Sequence, residues 1–264
     1  MIKGSILAVL CFWILSCAQV PITGRESLHL VPNSDLLRLS LQEYEQVLKK
    51  SKLSSDEHAV AMVRRVGLQI ARAAEDTLRE MGREDQIAGY KWEFNLIEDD
   101  KTVNAWVMPG GKAAVYTGIL PITKDETGLA VVLGHEVGHA LADHGNERMS
   151  QALLANFGAM ALSTALASRP QVTRDIFMQV YGIGAQVGVL LPFSRLQESE
   201  ADHMGLILMA RAGYDPREAV AFWKRMNEKE GGARPPEFLS THPAPESRIA
   251  AIKGFIPEAM DYYK

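Results

Sequence analysis

An α+β fold, predominantly helical, with a small β-sheet and an edge strand beside a His-Glu-x-x-His helix, is what the sequence predicts. Three observations lead there. Helical periodicity with capping residues at its starts accounts for most of the chain after Asn33. Residue-by-residue alternation is confined to the stretch Tyr90, Trp92, Phe94 and Leu96, where Lys91, Glu93 and Asn95 fall between the apolar positions. Two further extended runs, Asn104 to Met108 and Lys112 to Thr117, are separated only by Pro109-Gly110-Gly111 and are expected to pair as a hairpin, with the second strand as the exposed edge. A chain of 264 residues, 47% of them hydrophobic, suits one core better than two. The net charge of -4 is spread over interspersed acidic and basic residues, so no nucleic-acid partner is expected.

The first sixteen residues read as a signal peptide. Lys3 gives a positive start, and Ile6 to Leu15 is an apolar run of signal length, too short for a membrane-spanning helix. Ile14-Leu15-Ser16-Cys17 resembles a bacterial lipobox, although Leu15 stands where a smaller residue is usual. Cys17 is therefore the expected lipidation site. Cys11 and Cys17 are the only cysteines, so cleavage before Cys17 leaves one thiol, taken by the lipid, and no disulfide. Ala18 follows rather than aspartate, which points by the lipoprotein sorting rule to the outer membrane of a bacterial envelope, facing the periplasm. The expected division is a signal peptide over 1–16, a lipid-anchored tether over 17–31 and a single catalytic domain over 32–264.

Within the domain, Asn33-Ser34-Asp35 caps a helix reaching about residue 50, and Ser54 or Ser55 starts a second that runs to about Met81. After the strands, Thr123 with Glu126 has the spacing of a capping box opening a helix that continues through Leu141. Residues 151–168 and 171–191 are rich in Ala, Gly and Leu and break at Arg169-Pro170. Asn156, Ser163, Thr164, Gln179 and Gln186 interrupt them, which favours a buried helical hairpin over membrane spans. Ser194 and Gln197 form another capping box, for a helix ending near Gly213, and Asp215-Pro216 with Glu218 starts the next. Ser240-Thr241-His242-Pro243 precedes a short closing helix.

The chemistry is concentrated in His135-Glu136-Val137-Gly138-His139. A four-residue spacing on a helix places both imidazoles on one face, where they can share one Zn²⁺. Glu136 is displaced from that face and is suited to act as general base toward a water on the metal. Ala130 to Leu133 precede the motif and Ala140-Leu141 follow it, so the helix is buried, where unpaired surface histidines would be costly. A catalytic zinc takes three protein ligands and keeps one open position. His144, five residues beyond His139, does not match the spacing of a third helical histidine and is read as a helix-end residue pointing away. Glu198 and Asp202 lie one turn apart on a later helix; Glu198 is the expected third ligand, Asp202 the acceptor for a ligand histidine's free N–H, and Glu200 points elsewhere.

These motifs together resemble the HtpX-like zinc metalloproteases, which include mitochondrial Oma-type enzymes and periplasmic lipoproteins of the BepA and LoiP type. His135 to His139 is similar to that family's metal helix, and Glu198 to Asp202 to its glutamate-x-x-alanine-aspartate signature. Pro21-Ile22-Thr23-Gly24-Arg25, Asn104 to Gly111 and Ser240 to Pro243 resemble the segment leading into the domain, the strand beside the cleft and the late histidine-proline motif. The likeness spans about residues 20–250. It implies a gluzincin-type endopeptidase domain with one zinc per chain on His135, His139 and Glu198. His242 would reach the active site, either donating to the oxyanion or plugging the open metal position, with Arg248 nearby as a supporting charge. An extended polypeptide would pair with the main chain of Lys112, Ala113, Ala114, Val115 and Tyr116. The implied role is hydrolysis of exposed or misfolded envelope polypeptides; the alternative is a chaperone-like envelope assembly factor whose zinc site is latent or plugged.

Overall fold

The computed structural model describes residues 17–157, 170–181, 194–230, 236–243 and 246–264. The expected signal peptide and most of the Ala- and Gly-rich stretches around Ser163, Thr164 and Gln186 lie outside the described residues. The fold is α+β and predominantly helical, as the sequence predicts.

The chain enters through two short antiparallel strands, β1 (Cys17–Gln19) and β2 (Glu26–Leu28), joined by the turn Pro21 to Arg25. The segment expected as a tether is thus folded onto the domain from Cys17 on: Val20 is buried in the main core, and Leu30 N–H donates to Ser150 Oγ. Helix α1 (Asn33–Lys50) follows, and then α2 (Glu57–Glu80). The cap of α2 is Asp56, whose carboxylate accepts from Ala59 N–H, rather than Ser54 or Ser55. Ser54 instead pairs its N–H with Leu96 O, which ties the linker to the sheet.

Three strands form that sheet, β3 (Glu93–Ile97), β4 (Ala105–Met108) and β5 (Lys112–Tyr116), in the order β3-β5-β4. The β4–β5 hairpin forms as expected, but β5 is not the edge. It pairs in parallel with β3, Glu93 opposite Lys112 through Ile97 opposite Tyr116, so β3 and β4 are the two edge strands, β3 flanked on its outer side by the Leu53–Ile97 bridge. Both faces of the sheet are covered. Phe94, Leu96, Val107, Ala113 and Val115 join the core under α2, whereas Ile97, Trp106, Met108 and Ala114 pack with Leu36, Leu39 and Tyr44 of α1. Two-sided burial also explains why Asn95, at a polar position of the alternation, is buried and donates to Tyr44 Oη at 2.8 Å.

A single turn (Leu120–Thr123) leads into α3 (Glu126–Leu141), the helix of the His-Glu-x-x-His motif. Thr123 belongs to that preceding turn; Asp125 is the cap, accepting from Gly128 N–H. Helices α4 (His144–Phe157) and α5 (Pro170–Val180) follow, and then α6 (Arg195–Arg211). Helix α6 starts with the Ser194–Gln197 capping box in both of its hydrogen bonds. The last helices are α7 (Glu218–Glu230), α8 (Glu237–Thr241) and α9 (Glu246–Met260). Among the described residues no helix is long and apolar enough to cross a membrane.

The site is positioned by the packing of α3 on α6, which is backbone on backbone. A Cβ on Gly134 would lie 2.8 Å from Gly205 O, one on Gly205 would lie 2.8 Å from Gly134 C, and one on Gly138 would lie 2.9 Å from Ala201 O. Only glycine permits that approach. It brings the first turn of α6 within reach of the motif face of α3.

Candidate active site

His135, Glu136 and His139 are buried on α3, Glu198 and Asp202 on α6, and His242 caps the C-terminal end of α8. One donor atom from each of His135, His139, Glu198 and His242 falls within 4.8 Å of the other three. The two Nε2 atoms of His135 and His139 face each other at 3.0 Å. Glu198 places its carboxylate 3.3 Å from His139 Nε2 and 3.6 Å from His135 Nε2. His242 Nδ1 lies 2.9 Å from Glu198 Oε1 and 3.2 Å from His135 Nε2.

The donor set suits zinc. Burial pushes His135 and His139 below the ordinary imidazole value, so both rings are neutral with lone pairs to offer. Burial alone would raise Glu198, but His242 and Arg248 outweigh it and hold the carboxyl well below its ordinary range. Neutral imidazoles and an ionised carboxylate are the protonation states a zinc site requires. A proton shared between two facing lone pairs satisfies one contact, whereas a divalent cation satisfies all the converging donors at once.

Glu136 lies beside this cluster, its Oε1 3.4 Å from His242 Nε2. Its carboxylate accepts from Val107 N–H, on the outer side of β4, and burial raises its pKa to about 7. Asp202 places its Oδ1 2.9 Å from His135 Nδ1. Arg248 of α9 is more central than a nearby supporting charge. It donates to both Asp202 oxygens at 2.7 and 2.8 Å, pairs with Glu198 Oε2 at 2.6 Å, and stacks 3.6 Å over the Trp223 ring.

Two expectations need correction. Lys112 to Tyr116 cannot receive a substrate main chain, because β5 is the central strand and both its hydrogen-bonding edges are used by β3 and β4. His144 does not point away. The helix stops at Leu141, Asp143 takes a φ of 50°, and the chain turns so that His144 Nδ1 returns to 2.8 Å from His139 Nδ1. Glu200 points away from the metal donors, as expected, but it too belongs to the site's surroundings: its Oε2 is 3.2 Å from His144 Nε2. Sequence reasoning missed both. The turn signal for His144 was the Asp143-His144-Gly145 sequence directly after the helix.

The sequence model described as Peptidase family M48 matches residues 46–256. The chain is 35% identical over 244 residues to the mitochondrial metalloendopeptidase OMA1 of Schizosaccharomyces pombe, covering 91% of this chain and 67% of that protein. It is 30% identical over 262 residues to the human mitochondrial metalloendopeptidase OMA1, covering 96% of this chain and 48% of that one. The beta-barrel assembly-enhancing protease of Escherichia coli is 29% identical over 171 residues, 60% of this chain and 33% of that protein. The chain thus spans two thirds of the fission-yeast relative and about half or less of the other two. These relatives overturn the expected place in a bacterial outer membrane. Those aligned over more than nine-tenths of the chain carry mitochondrial names, and the bacterial protease is the more distant match.

Proposed function

Because the chain belongs to peptidase family M48 and carries its zinc metalloendopeptidase domain, we propose that it cleaves exposed, extended segments of misfolded polypeptides, with zinc on His135, His139 and Glu198 and with Glu136 as general base. The observation that carries this reading is the convergence of two histidines from α3 and one carboxylate from α6, with Glu136 alongside. When bound, zinc supplies Lewis acidity toward the peptide carbonyl and lowers the pKa of the attacking water. Glu136 takes the water's proton on its carboxylate and passes it to the leaving amine. Val107 N–H holds Glu136 in place for that transfer. Asp202, gripped by Arg248, accepts from His135 Nδ1 and so keeps Nε2 as the donor that faces the cluster.

The outer edge of β4 is the strand on which a substrate would add. Trp106 and Met108 pair toward β5, so the main chain of Ala105 and Val107 faces outward past the catalytic carboxylate. The Ala105 N–H is taken by Asn104 Oδ1 and the Val107 N–H by Glu136, so a substrate strand would pair with the two carbonyls. Pairing through the main chain requires an unfolded segment and selects weakly for sequence.

A second reading, a latent enzyme, is favoured by one observation: His242 Nδ1 stands among the metal donors, where it would fill the position a water needs. In that state His242 is a reversible plug, and displacement by substrate opens the site. Membrane attachment through a lipid on Cys17, the first residue of β1, is proposed from the sequence alone; intact-mass analysis of the isolated protein tests it. The function is tested by comparing cleavage of an unfolded protein substrate by wild type and Glu136→Gln. Loss of the base is expected to slow turnover by roughly 10²–10⁴-fold while zinc remains bound. Equal cleavage by the two proteins would remove Glu136 from the chemistry.

A further inference from the structure

The two ligand histidines are braced differently. His135 is held by Asp202 and Arg248, all within the α3–α6–α9 assembly. His139 is held by a longer line of contacts that leaves the core. Its Nδ1 meets His144 Nδ1 at 2.8 Å, and His144 Nε2 meets Glu200 Oε2 at 3.2 Å. Glu200 then accepts from Thr23 Oγ1 at 2.7 Å and from Arg25 Nε at 2.7 Å. Both of those donors sit in the turn between β1 and β2. The Arg25 guanidinium is itself fixed from the other side by Glu147, which accepts from Nη1 at 2.9 Å and Nη2 at 2.8 Å, and Glu147 also accepts from Gln197 of the α6 capping box at 2.8 Å.

Chemistry gives the line a direction. A histidine that offers Nε2 to a metal carries its proton on Nδ1. His139 then donates to His144 Nδ1, which leaves the His144 proton on Nε2, and this proton goes to Glu200. Every hydrogen in the line has one donor and one acceptor, and the last acceptor is a carboxylate whose other contacts come from the N-terminal turn.

We propose that Thr23 and Arg25 are positioning residues for His139, acting through Glu200 and His144, so that docking of the N-terminal hairpin sets the zinc affinity of the site. This rests on the assignment of His139 as a zinc ligand. The alternative is that the Arg25 ion pairs only fasten the hairpin to α4 and α6. In that case their loss weakens the fold and leaves metal binding alone.

Zinc affinity separates the two. The full chain and its variants are titrated with Zn²⁺ against a chromophoric chelator, and the melting midpoint of each zinc-free protein is recorded beside it. Removing the direct outer partner of a ligand histidine usually costs roughly 10–100-fold in metal affinity. Glu200→Gln acts one link further out, through His144, and is expected to weaken zinc binding by about 10-fold, with Arg25→Ala smaller still. Arg25→Lys, which keeps a charge for Glu200 but cannot span Glu147 as well, is expected to recover part of the loss. Should Arg25→Ala not fold, Thr23→Val reads the same line through Glu200 Oε1, and Thr23→Ser is expected to bind zinc as wild type does. Wild-type affinity in Glu200→Gln and in whichever of Arg25→Ala and Thr23→Val folds, whatever happens to the zinc-free melting midpoint, overturns the proposal. The premise is checked separately with His139→Ala: if that variant keeps one tightly bound zinc, the ligand assignment fails rather than the relay.

Discussion

Adding a single methyl group at the seam between α3 and α6 is expected to damage the active site although it touches no catalytic atom. In Gly205→Ala the new Cβ would lie 2.8 Å from both the Gly134 carbonyl carbon and the His135 nitrogen. Carbon contacts are comfortable at about 3.5–4.0 Å, so the helices must separate by roughly an ångström. Neither neighbour is a flexible side chain. The overpacking cost therefore falls near the upper end of the usual range, about 3 kcal/mol. Replacing glycine by alanine inside a helix returns about 0.5–1 kcal/mol, for a net loss of about 2 kcal/mol. For a domain of this size that lowers Tm by roughly 4–8 °C. Because Gly134 directly precedes His135, the displacement reaches the metal donors, and an error of about 1 Å in catalytic geometry costs on the order of 10²-fold in rate. Gly254→Ala is the control: it lies within α9 with nothing within 4 Å of the added Cβ. There the same exchange is expected to raise stability by about 0.5–1 kcal/mol and to leave activity unchanged. Scanning calorimetry and a peptidase assay on both variants decide the matter. If Gly205→Ala is as stable and as active as Gly254→Ala, the close helix approach does not position the site.

Other outcomes follow from the same geometry. Asp202→Asn keeps the shape of the side chain but weakens the brace on His135, and zinc affinity measured by chelator competition is expected to fall by roughly 10–100-fold. Removing zinc with a chelator lowers the melting midpoint, and adding zinc back at about 100 times Kd restores about 2.7 kcal/mol, which calorimetry at several zinc concentrations will register. Burial pushes the Glu147 carboxyl up, but Arg25 and Gln197 outweigh it and hold it below its ordinary value of 4.5. A depressed carboxylate contributes fully above 4.5 and loses its contribution as the pH falls through the folded value. Arg25→Gln should therefore shift the acid-unfolding midpoint to higher pH, and an unchanged midpoint would show that the pair contributes nothing.

The helical share of the fold, the hairpin and the metal motif were all legible because each rests on short-range spacing. His135 and His139 are four apart on one helix, and Glu198 and Asp202 are four apart on another, so the two halves of the site are each visible in the sequence. The caps at Asp56 and Asp125 were displaced by one or two residues from those expected, since Ser, Thr and Asp compete for such positions and tertiary contacts choose among them. The place of β5 was not legible. Alternation identifies a strand but not its neighbours, and the parallel pairing with β3 joins residues separated by α-free loops and the whole of β4. His144 was misplaced because a helical projection was carried past Leu141, while the left-handed backbone at Asp143 reverses the direction of the chain. Arg25 and Arg248 reach the site from 110 or more residues away from His135 along the chain, and no local spacing announces such a contact.

The most direct test of the account is anomalous diffraction at the zinc absorption edge from crystals of the zinc-loaded protein. One peak per chain is expected, bound by Nε2 of His135, Nε2 of His139 and the carboxylate of Glu198, with Glu136 beside it as a non-ligand. A peak away from the two histidines, or one at the histidines with Glu198 absent from the coordination sphere, would contradict the ligand set and the mechanism built on it.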